Sequence, residues 1–383
     1  MENYSLMLRN PFTNGGEVVI LEFAMNNEME LYTDYLLSSF GKVTATGLSG
    51  LLDGKLSHDT VTRMLSRHAN DSKALWHEVK SLVRAHESPD ACLIFDDTII
   101  SKPYTDENEL VCWHWDPSKN RNEKGINLLT AFYHTHPATQ ADPLRVPVQF
   151  EPVRKNIRFT DPVTGKEKRK SEVTQNDMLR AMVRRAVEQQ NLLFRYVLAD
   201  SWFSSSDNML FIHKLGRHFI MDLKSNRSCM FSTQDRNKGR WTSLDALPLE
   251  PGVPVKVWIK DLEIEVSICK LVFTNKDGST GETYLASNDV ALCGEQFKTL
   301  YKRRWSVEEY HKSLKQNASV SKSPTRTPAT QRTHLFASLL AYVKLERMKF
   351  VHKLNHFALR GKIYMAALKL SWQQLESMKI APA

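Results

Sequence analysis

The sequence predicts an α/β protein: a mixed sheet follows an α-helical N-terminal region, takes a β-rich insertion, and ends in a basic helical C-terminal region. Three observations predict it. Residues 24 to 87 carry helical periodicity, as in "MNNEMELYTDYLLSSFG" and "SHDTVTRMLSRHANDSKALWHEVKSLVRAH". From residue 91 the pattern changes to short apolar runs, "ACLIFDD", "GINLLTAFYHT" and "RVPVQFEPV", separated by turn-rich links. A capped helix and a further apolar run ending in an acid, "LFRYVLADSWF", then follow.

In the N-terminal region Ser57 is placed to cap a short helix carrying Val61, Met64 and Leu65. "LSHDTVTRML" suits the second helix of a helix-turn-helix, with Thr60, Thr62, Arg63 and Arg67 outward, and equally an ordinary small helical bundle. In "TQNDMLRAMVRRAVEQQ", Thr174 and Asp177 match a capping box, and Met178, Met182 and Val183 form an apolar stripe. Three strands, a helix and a fourth strand is the order that opens a ribonuclease-H-like fold, though it fits other α/β proteins too. In that fold the first and fourth strands are parallel neighbours, which sets the ends of "LIFDD" and "VLADS" side by side. Residues 217 to 294 read as the strand-rich insertion. The boundaries expected are 1–88 (helical, DNA-binding or accessory), 89–216, 217–294, 295–320 (a helix completing the core) and 321–383.

Composition narrows the partners. The chain has 383 residues and a formal net charge of +9, from 52 basic and 43 acidic residues. Residues 321 to 383 hold 11 Lys or Arg against 2 Glu, so the preceding part is near neutral in sum. A polyanion is the partner this favours. A second basic stretch, "VRKNIRFTDPVTGKEKRK", suits either a solvated loop or DNA. Five scattered cysteines fit a reducing compartment, and no apolar run reaches the ~18 residues of a membrane span. The N-terminus lacks the layout of a signal peptide, so a cytoplasmic protein is expected.

"LYKRRWSVEEYHKSLK", residues 300 to 315, holds two adjacent glutamates among basic residues. On a continuous helix Tyr301, Arg304, Glu308 and Lys315 share one face, Leu300, Val307 and Leu314 form an apolar stripe beside it, and Glu309 turns away. That selects Glu308. With the strand-terminal acids Asp96 and Asp200 it makes a carboxylate triad on separate elements. Such a cluster is costly unless charge-balanced, and Mg²⁺ or Mn²⁺ balances it. Two ions ~3.5–4 Å apart serve phosphoryl transfer by activating a water or a 3′-hydroxyl and stabilising the leaving oxygen.

These residues resemble the IS4-like transposases of bacterial insertion sequences, a branch of the DDE transposases with a ribonuclease-H-like core. That family's signature of Tyr, two residues, Arg, three residues, Glu, six residues, Lys is met by Tyr301, Arg304, Glu308 and Lys315. Its first acid sits in Asp-x-Thr, matched by Asp96-Asp97-Thr98, which favours Asp96 over Asp97. Its second matches Asp200 in "LADSWF". The 107 residues between Asp200 and Glu308 match the family's β-rich insertion, and the resemblance runs from about Cys92 to His334.

The resemblance implies DNA cleavage and strand transfer at terminal inverted repeats. It further implies two Mg²⁺ or Mn²⁺ ions on Asp96, Asp200 and Glu308, and DNA contacts from Tyr301, Arg304 and Lys315. A homodimer is expected in the complex that pairs the two ends, with the segment after Ser321 supplying a second grip and "LFASLLAYVKLERM" an apolar dimer face. Relatives can stack a flipped base on a tryptophan of the insertion, for which Trp241 and Trp258 stand as candidates.

Four rival readings follow from the residues. Cys112-x-His114 and His134-x-His136 have the ligand types of a zinc site, but alternation in strands produces such pairs without a metal. A glycosidase uses paired carboxylates and leaves the basic companions of Glu308 unexplained. A non-enzymatic DNA-binding regulator explains the charge and leaves three acids idle, and a ribonuclease-H-like nuclease without strand transfer uses the same acids.

Overall fold

The computed structural model describes residues 27–67, 70–135, 142–274 and 277–380. Four helices come first: α1 (Asn27–Ser38), α2 (Ala45–Leu51), α3 (His58–Arg67) and α4 (Ser72–His86). Ser57 Oγ accepts the Thr60 backbone N–H at 3.2 Å at the start of α3. Val61, Met64 and Leu65 are buried while Thr62, Arg63 and Arg67 stay exposed, as the periodicity requires. Asp71 caps α4 through the Ala74 N–H at 2.9 Å.

The sheet begins with β1 (Cys92–Ser101), β2 (Cys112–Asp116), β3 (Arg121–His134) and β4 (Arg145–Pro152). β3 pairs antiparallel with β1, β2 and β4. β2 carries the Cys112-x-His114 alternation, paired with β3. The basic stretch after β4 is neither loop nor helix: β5 (Ile157–Thr160) and β6 (Glu167–Lys170) form a separate hairpin. The crossover follows as α5 (Gln175–Arg184), opened by the Thr174–Asp177 capping box, and its last turn widens into a π-helical segment at Arg185–Gln189. It delivers β7 (Tyr196–Ala199) parallel to β1, the first-to-fourth arrangement expected.

Beyond β7 come α6 (Ser206–Lys214) and β8 (His218–Leu223), which pairs parallel with β7. The run "HFIMDLK" is therefore the next strand of the same sheet. β9 (Ser228–Met230), α7 (Thr233–Asn237), β10 (Thr242–Ser243), β11 (Val255–Ile259), β12 (Glu265–Thr274) and β13 (Thr280–Ser287) extend the sheet outward, in the order β10-β9-β11-β12-β13-β8-β7-β1-β3-β2, with β4 on β3. The architecture is a ribonuclease-H-like mixed sheet with a β-rich insertion, between N-terminal and C-terminal helices.

Helices close the chain: α8 (Gly294–Lys302), α9 (Trp305–Gln316), α10 (Pro328–His352) and α11 (His356–Ile380). The single helix expected over residues 300–315 is two helices joined at Arg303–Arg304, where the backbone stays α-helical but the hydrogen bonds tighten to i→i−3. α8 meets the insertion closely: a Cβ on Gly294 would lie 1.9 Å from the Gly252 carbonyl oxygen, so glycine is required there. α9 lies on one sheet face through Tyr310, stacked on Phe132 at 4.7 Å, and Tyr342 of α10 meets Tyr310 edge-on at 4.8 Å. α5 covers the other face, where Gln149 donates to the Met182 carbonyl at 2.9 Å.

"LFASLLAYVKLERM" is not a free dimer face. Leu335 to Val343 is buried without interruption, because α10 is a central helix packed by α1, α3, α4, α9 and β4. Among the described residues no helix is long and apolar enough to cross a membrane, and all five cysteines are free.

Candidate active site

β1 and β7 pair only from Cys92–Ile94 against Tyr196–Leu198. Asp96 lies two residues past that pairing, and Asp200 directly follows the end of β7. Both acids thus stand where two parallel strands separate, although β1 itself continues to Ser101 and Asp96 is mid-strand rather than terminal.

Strand alternation sends Asp96 and Asp97 to opposite faces. Asp97 accepts a hydrogen bond from Asn127 Nδ2 at 2.6 Å and lies on the α5 side, where the Gln175 side chain helps hold its carboxylate. Asp96 faces α9, where Arg304 Nη1 lies 4.0 Å and His311 Nδ1 3.8 Å from its carboxylate. Arg304 Nη2 reaches Glu308 at 3.4 Å. One guanidinium therefore spans the first and third acids. Glu309, next in sequence, leaves this cluster and pairs with Arg145 at 2.9 Å.

Negative charge exceeds positive here. Burial, then the charge of Asp200, pushes the Asp96 carboxyl up to about 8, against the opposing pull of Arg304. Burial also raises Asp97, Asp200 and Asp222, the last an acid of β8 that accepts from Thr283 Oγ1 at 2.6 Å. Burial works against the Arg304 cation, but Tyr301 and the carboxylates of Asp96, Glu308 and Asp200 outweigh it and raise its pKa. Its Nε and His311 Nε2 are buried without a hydrogen-bond partner. Burial holds His311 down to about 3, so its contact with Asp96 is not an ion pair at neutral pH.

Tyr301, at the end of α8, lies under Arg304, whose guanidinium carbon is 5.5 Å from the ring centre. Lys315 stands apart in the last turn of α9, half-buried among charges of the β2–β3 ribbon; burial first and then Lys119 lower it, while Asp116, Glu123 and Asp96 oppose. The chain thus gathers Asp96, Asp200, Tyr301, Arg304 and Glu308, with Lys315 at the margin.

A cleft of about 750 Å³ borders the cluster, lined in part by Asp222, Phe273, Tyr301, Arg304 and Trp305. Another, of about 400 Å³, is lined by Trp202, Lys224, Arg227 and Lys260. Trp202 and Trp305 are both largely exposed. Trp241 and Trp258 line neither cleft; both are half-buried, and Arg236 stacks on Trp258 at 4.2 Å. Sequence reading passed over Asp222, Trp202 and Trp305. The available signals were an acid inside an apolar strand and tryptophans adjoining the selected acid and arginine.

α9 carries a second polar cluster on its other side. Glu346 of α10 accepts from the Arg145 backbone N–H at 3.0 Å, Lys349 Nζ at 2.5 Å and His356 Nε2 at 2.9 Å. His356 Nδ1 meets Ser313 Oγ at 3.0 Å, and Ser313 accepts from Asn317 Nδ2 at 3.0 Å.

For a divalent cation, the donor chemistry of Asp96, Asp200 and Glu308 fits a hard ion, and the one guanidinium of Arg304 lies against two of these acids. As the side chains stand, no group of three His, Cys, Asp or Glu among the described residues is gathered closely enough to hold an ion. Arg304 spans that space instead. For zinc, Cys112 Sγ donates to the Asn108 carbonyl at 2.9 Å, burial leaves His114 and His134 neutral, and His136 lies outside the described residues.

The model of a family described as "DDE superfamily endonuclease" matches residues 21–258, more than half of the chain. Asp96 and Asp200 fall inside the matched residues and Glu308 beyond them. A solved structure titled "Drosophila P element transposase strand transfer complex" is 15% identical over 51% of this chain and 37% of that one. The TM-score is 0.23, and the chain spans little more than a third of that protein's length. No curated protein matches the sequence.

Proposed function

Because the chain belongs to the DDE superfamily endonucleases, we propose that it is a DNA transposase of the IS4-like kind, which cuts at the terminal repeats of an insertion sequence and joins the freed ends to target DNA. The observation that carries this reading is the convergence of Asp96, Asp200 and Glu308 around Arg304 where β1 and β7 separate.

Asp96, Asp200 and Glu308 would hold Mg²⁺ or Mn²⁺, two ions per site, which would supply charge neutralisation for the attacking and leaving oxygens of a phosphodiester. The side chains of this chain do the rest. Arg304 is a two-pronged donor now engaged by carboxylates, and a DNA phosphate offers it the same pair of acceptors. Tyr301, pushed up to about 12 by burial, stays a neutral phenol that can donate to a phosphate oxygen. Lys315 holds a neighbouring phosphate as a mobile point charge. In cleavage a water oxygen bonds to phosphorus as the P–O3′ bond breaks, leaving a 3′-hydroxyl. In joining, that hydroxyl attacks a target phosphate and one phosphodiester replaces another. Two chains acting on two ends is the assembly this requires.

Incubating purified protein and Mg²⁺ with supercoiled DNA that carries the sequences flanking the gene tests the reading. Nicking or cutting at short inverted repeats is expected. Ends that bind but are never cut in any divalent metal would leave a DNA-binding regulator instead, and cutting without joining would leave a nuclease.

A further inference from the structure

Residues 153–170, the basic stretch after β4, take no part in the site described above. They hold seven Lys or Arg against two acids, a net +5 within a chain whose formal net charge is +9. As the hairpin β5–β6 they form a two-stranded sheet of their own, and no residue from Arg154 to Lys170 is buried. A hairpin without a core is marginal in water, so its own hydrogen bonds have to hold it. The Asp161 carboxylate accepts the Val163 and Thr164 N–H groups, each at 2.9 Å, and Gly165 closes the turn with a φ of +65°. At the root the Lys155 N–H donates to the Glu109 carbonyl at 2.8 Å, and its Nζ donates to the Trp113 carbonyl at 2.6 Å.

The register puts positive charge on both faces. Arg158 lies directly opposite Arg169 on one face, and Lys168 and Lys170 share the other with Phe159. Like charges paired across a hairpin oppose it. Glu167 meets Arg158 at 3.3 Å and Asp161 meets Lys168. That leaves Lys166, Arg169 and Lys170 without an acidic partner among the described residues. A ribbon that packs on nothing and repels itself is suited to an outside anion. Cations on both faces fit the major groove of duplex DNA, which admits a two-stranded ribbon between two walls of phosphate. The hairpin has no Asn or Gln, and its cations are spread along its length, which is the pattern of backbone contact rather than base reading.

Its place extends the site. β2, to which the root is tied, lies two strands from β1, about 10 Å at the usual strand spacing. Trp113 and Trp115 of β2 are exposed, and the register through Asn122, Lys124 and Thr130 puts them on the sheet face of Asp96. Lys315 lies near the same β2–β3 ribbon. A duplex held at Arg304 and Lys315 would meet the hairpin where it passes the β2 edge.

We propose that the β5–β6 hairpin holds duplex DNA by its phosphates, independent of sequence, beyond the edge of the active site. It rests on the DNA partner of the proposed function and adds a second contact surface to it.

Fluorescence anisotropy of the full-length protein with a random-sequence duplex, in EDTA and over a salt series, tests it. Replacing Arg158, Arg169 and Lys170 together with Gln is expected to lower the slope of log affinity against log salt by about 2–3 units, at ~0.9 per lost phosphate contact. Binding at ~100 mM salt should weaken at least about tenfold. Lys166→Gln with Lys170→Gln, which touch no acid, should lower the slope by about 2 units. Arg158→Lys with Arg169→Lys should keep it, because point charges suffice for phosphates. Circular dichroism of each variant checks that it has folded. An unchanged slope in either folded Gln variant overturns the proposal and leaves a solvated hairpin. So does a loss confined to duplexes carrying the sequences that flank the gene, which would make the hairpin a reader of the ends, or an equal loss on a single strand of the same length. With neither metal nor repeat present, a failure here leaves the cleavage reading untouched.

Discussion

The two polar clusters on α9 are built from the same kinds of residue and differ in their balance. On the side facing away from the carboxylates, Glu346 has a cation, an imidazole and a backbone N–H as partners, and the chain of bonds continues through His356 and Ser313 to Asn317. On the side facing β1, Asp96, Asp200 and Glu308 share one guanidinium, with two buried nitrogens left without partners. A complete network needs nothing from outside and fixes where α9 sits. An incomplete one retains unmet charge and polar groups, and those are what a cation and a phosphate supply. The difference distinguishes a cluster that is complete within the chain from one that can accept a ligand, without reference to any relative.

Neutralising an acid of the incomplete cluster should give the largest effect. Glu308→Gln or Asp96→Asn is expected to lower DNA cleavage about 10³-fold or more, the scale of losing a principal charge-stabilising group. End binding and folding should largely survive, because the cluster gains balance when a charge is lost. Glu309→Gln removes only an exposed partner of Arg145 and should cut at close to the normal rate. Normal cleavage by Glu308→Gln, scored on the same substrate, would break the comparison at its first point.

The complete cluster should respond in the opposite sense. Glu346→Ala leaves His356 and Lys349 without their buried acceptor and is expected to cost about 3–5 kcal/mol of stability. Denaturant titration reads this directly. A loss below about 1 kcal/mol would show that the network is not what seats α9.

These two clusters were not equally legible in the sequence. Glu308 could be chosen over Glu309 by phase, and Asp200 by its place after an apolar run, because periodicity and strand ends are local properties. The choice of Asp96 over Asp97 needed the pairing with β7 and the position of α9, which alternation within one strand does not contain. Glu346, His356 and Ser313 lie on three helices whose meeting depends on tertiary packing. The break at Arg303–Arg304 was hidden because both residues keep helical dihedrals, so the wheel that grouped Tyr301 with Glu308 described a straighter helix than exists. α10 and α11 show the limit most plainly. Both are 25 residues with mixed apolar and basic content, yet one is a core helix and the other is free beyond its first turns.

A pH titration of metal-free protein sharpens the charge argument. The folded-state pKa of Asp96 lies near 8, above its ordinary value near 3.8, so the folded state holds the proton more tightly than the unfolded chain. Stability should therefore be greatest below pH ~4 as far as this group is concerned, and should fall as pH rises toward ~8, by on the order of a few kcal/mol at most. Asp96→Asn should flatten that part of the profile. Mg²⁺ should restore stability at the alkaline end in the native chain and do so less in the variant. A profile unaltered by Asp96→Asn would mean the acids are already balanced.

The smallest effect is the one that separates the roles of the two basic residues. Arg304 is nearly enclosed and shared between Asp96 and Glu308, whereas Lys315 lies at the margin among both signs of charge. If each contacts one phosphate, replacing either with Ala should reduce the slope of log affinity against log salt by about one unit. Binding isotherms on a terminal-repeat duplex across a salt series measure this. Lys315→Ala should change the slope and move the Asp96-dependent pH profile less than Arg304→Ala does. Arg304→Ala should change both, because it also removes the only guanidinium now offsetting the acids among the residues described. An Arg304→Ala protein whose pH profile shifts while its salt slope stays fixed would assign Arg304 to the carboxylates alone, and Lys315 would remain the phosphate contact.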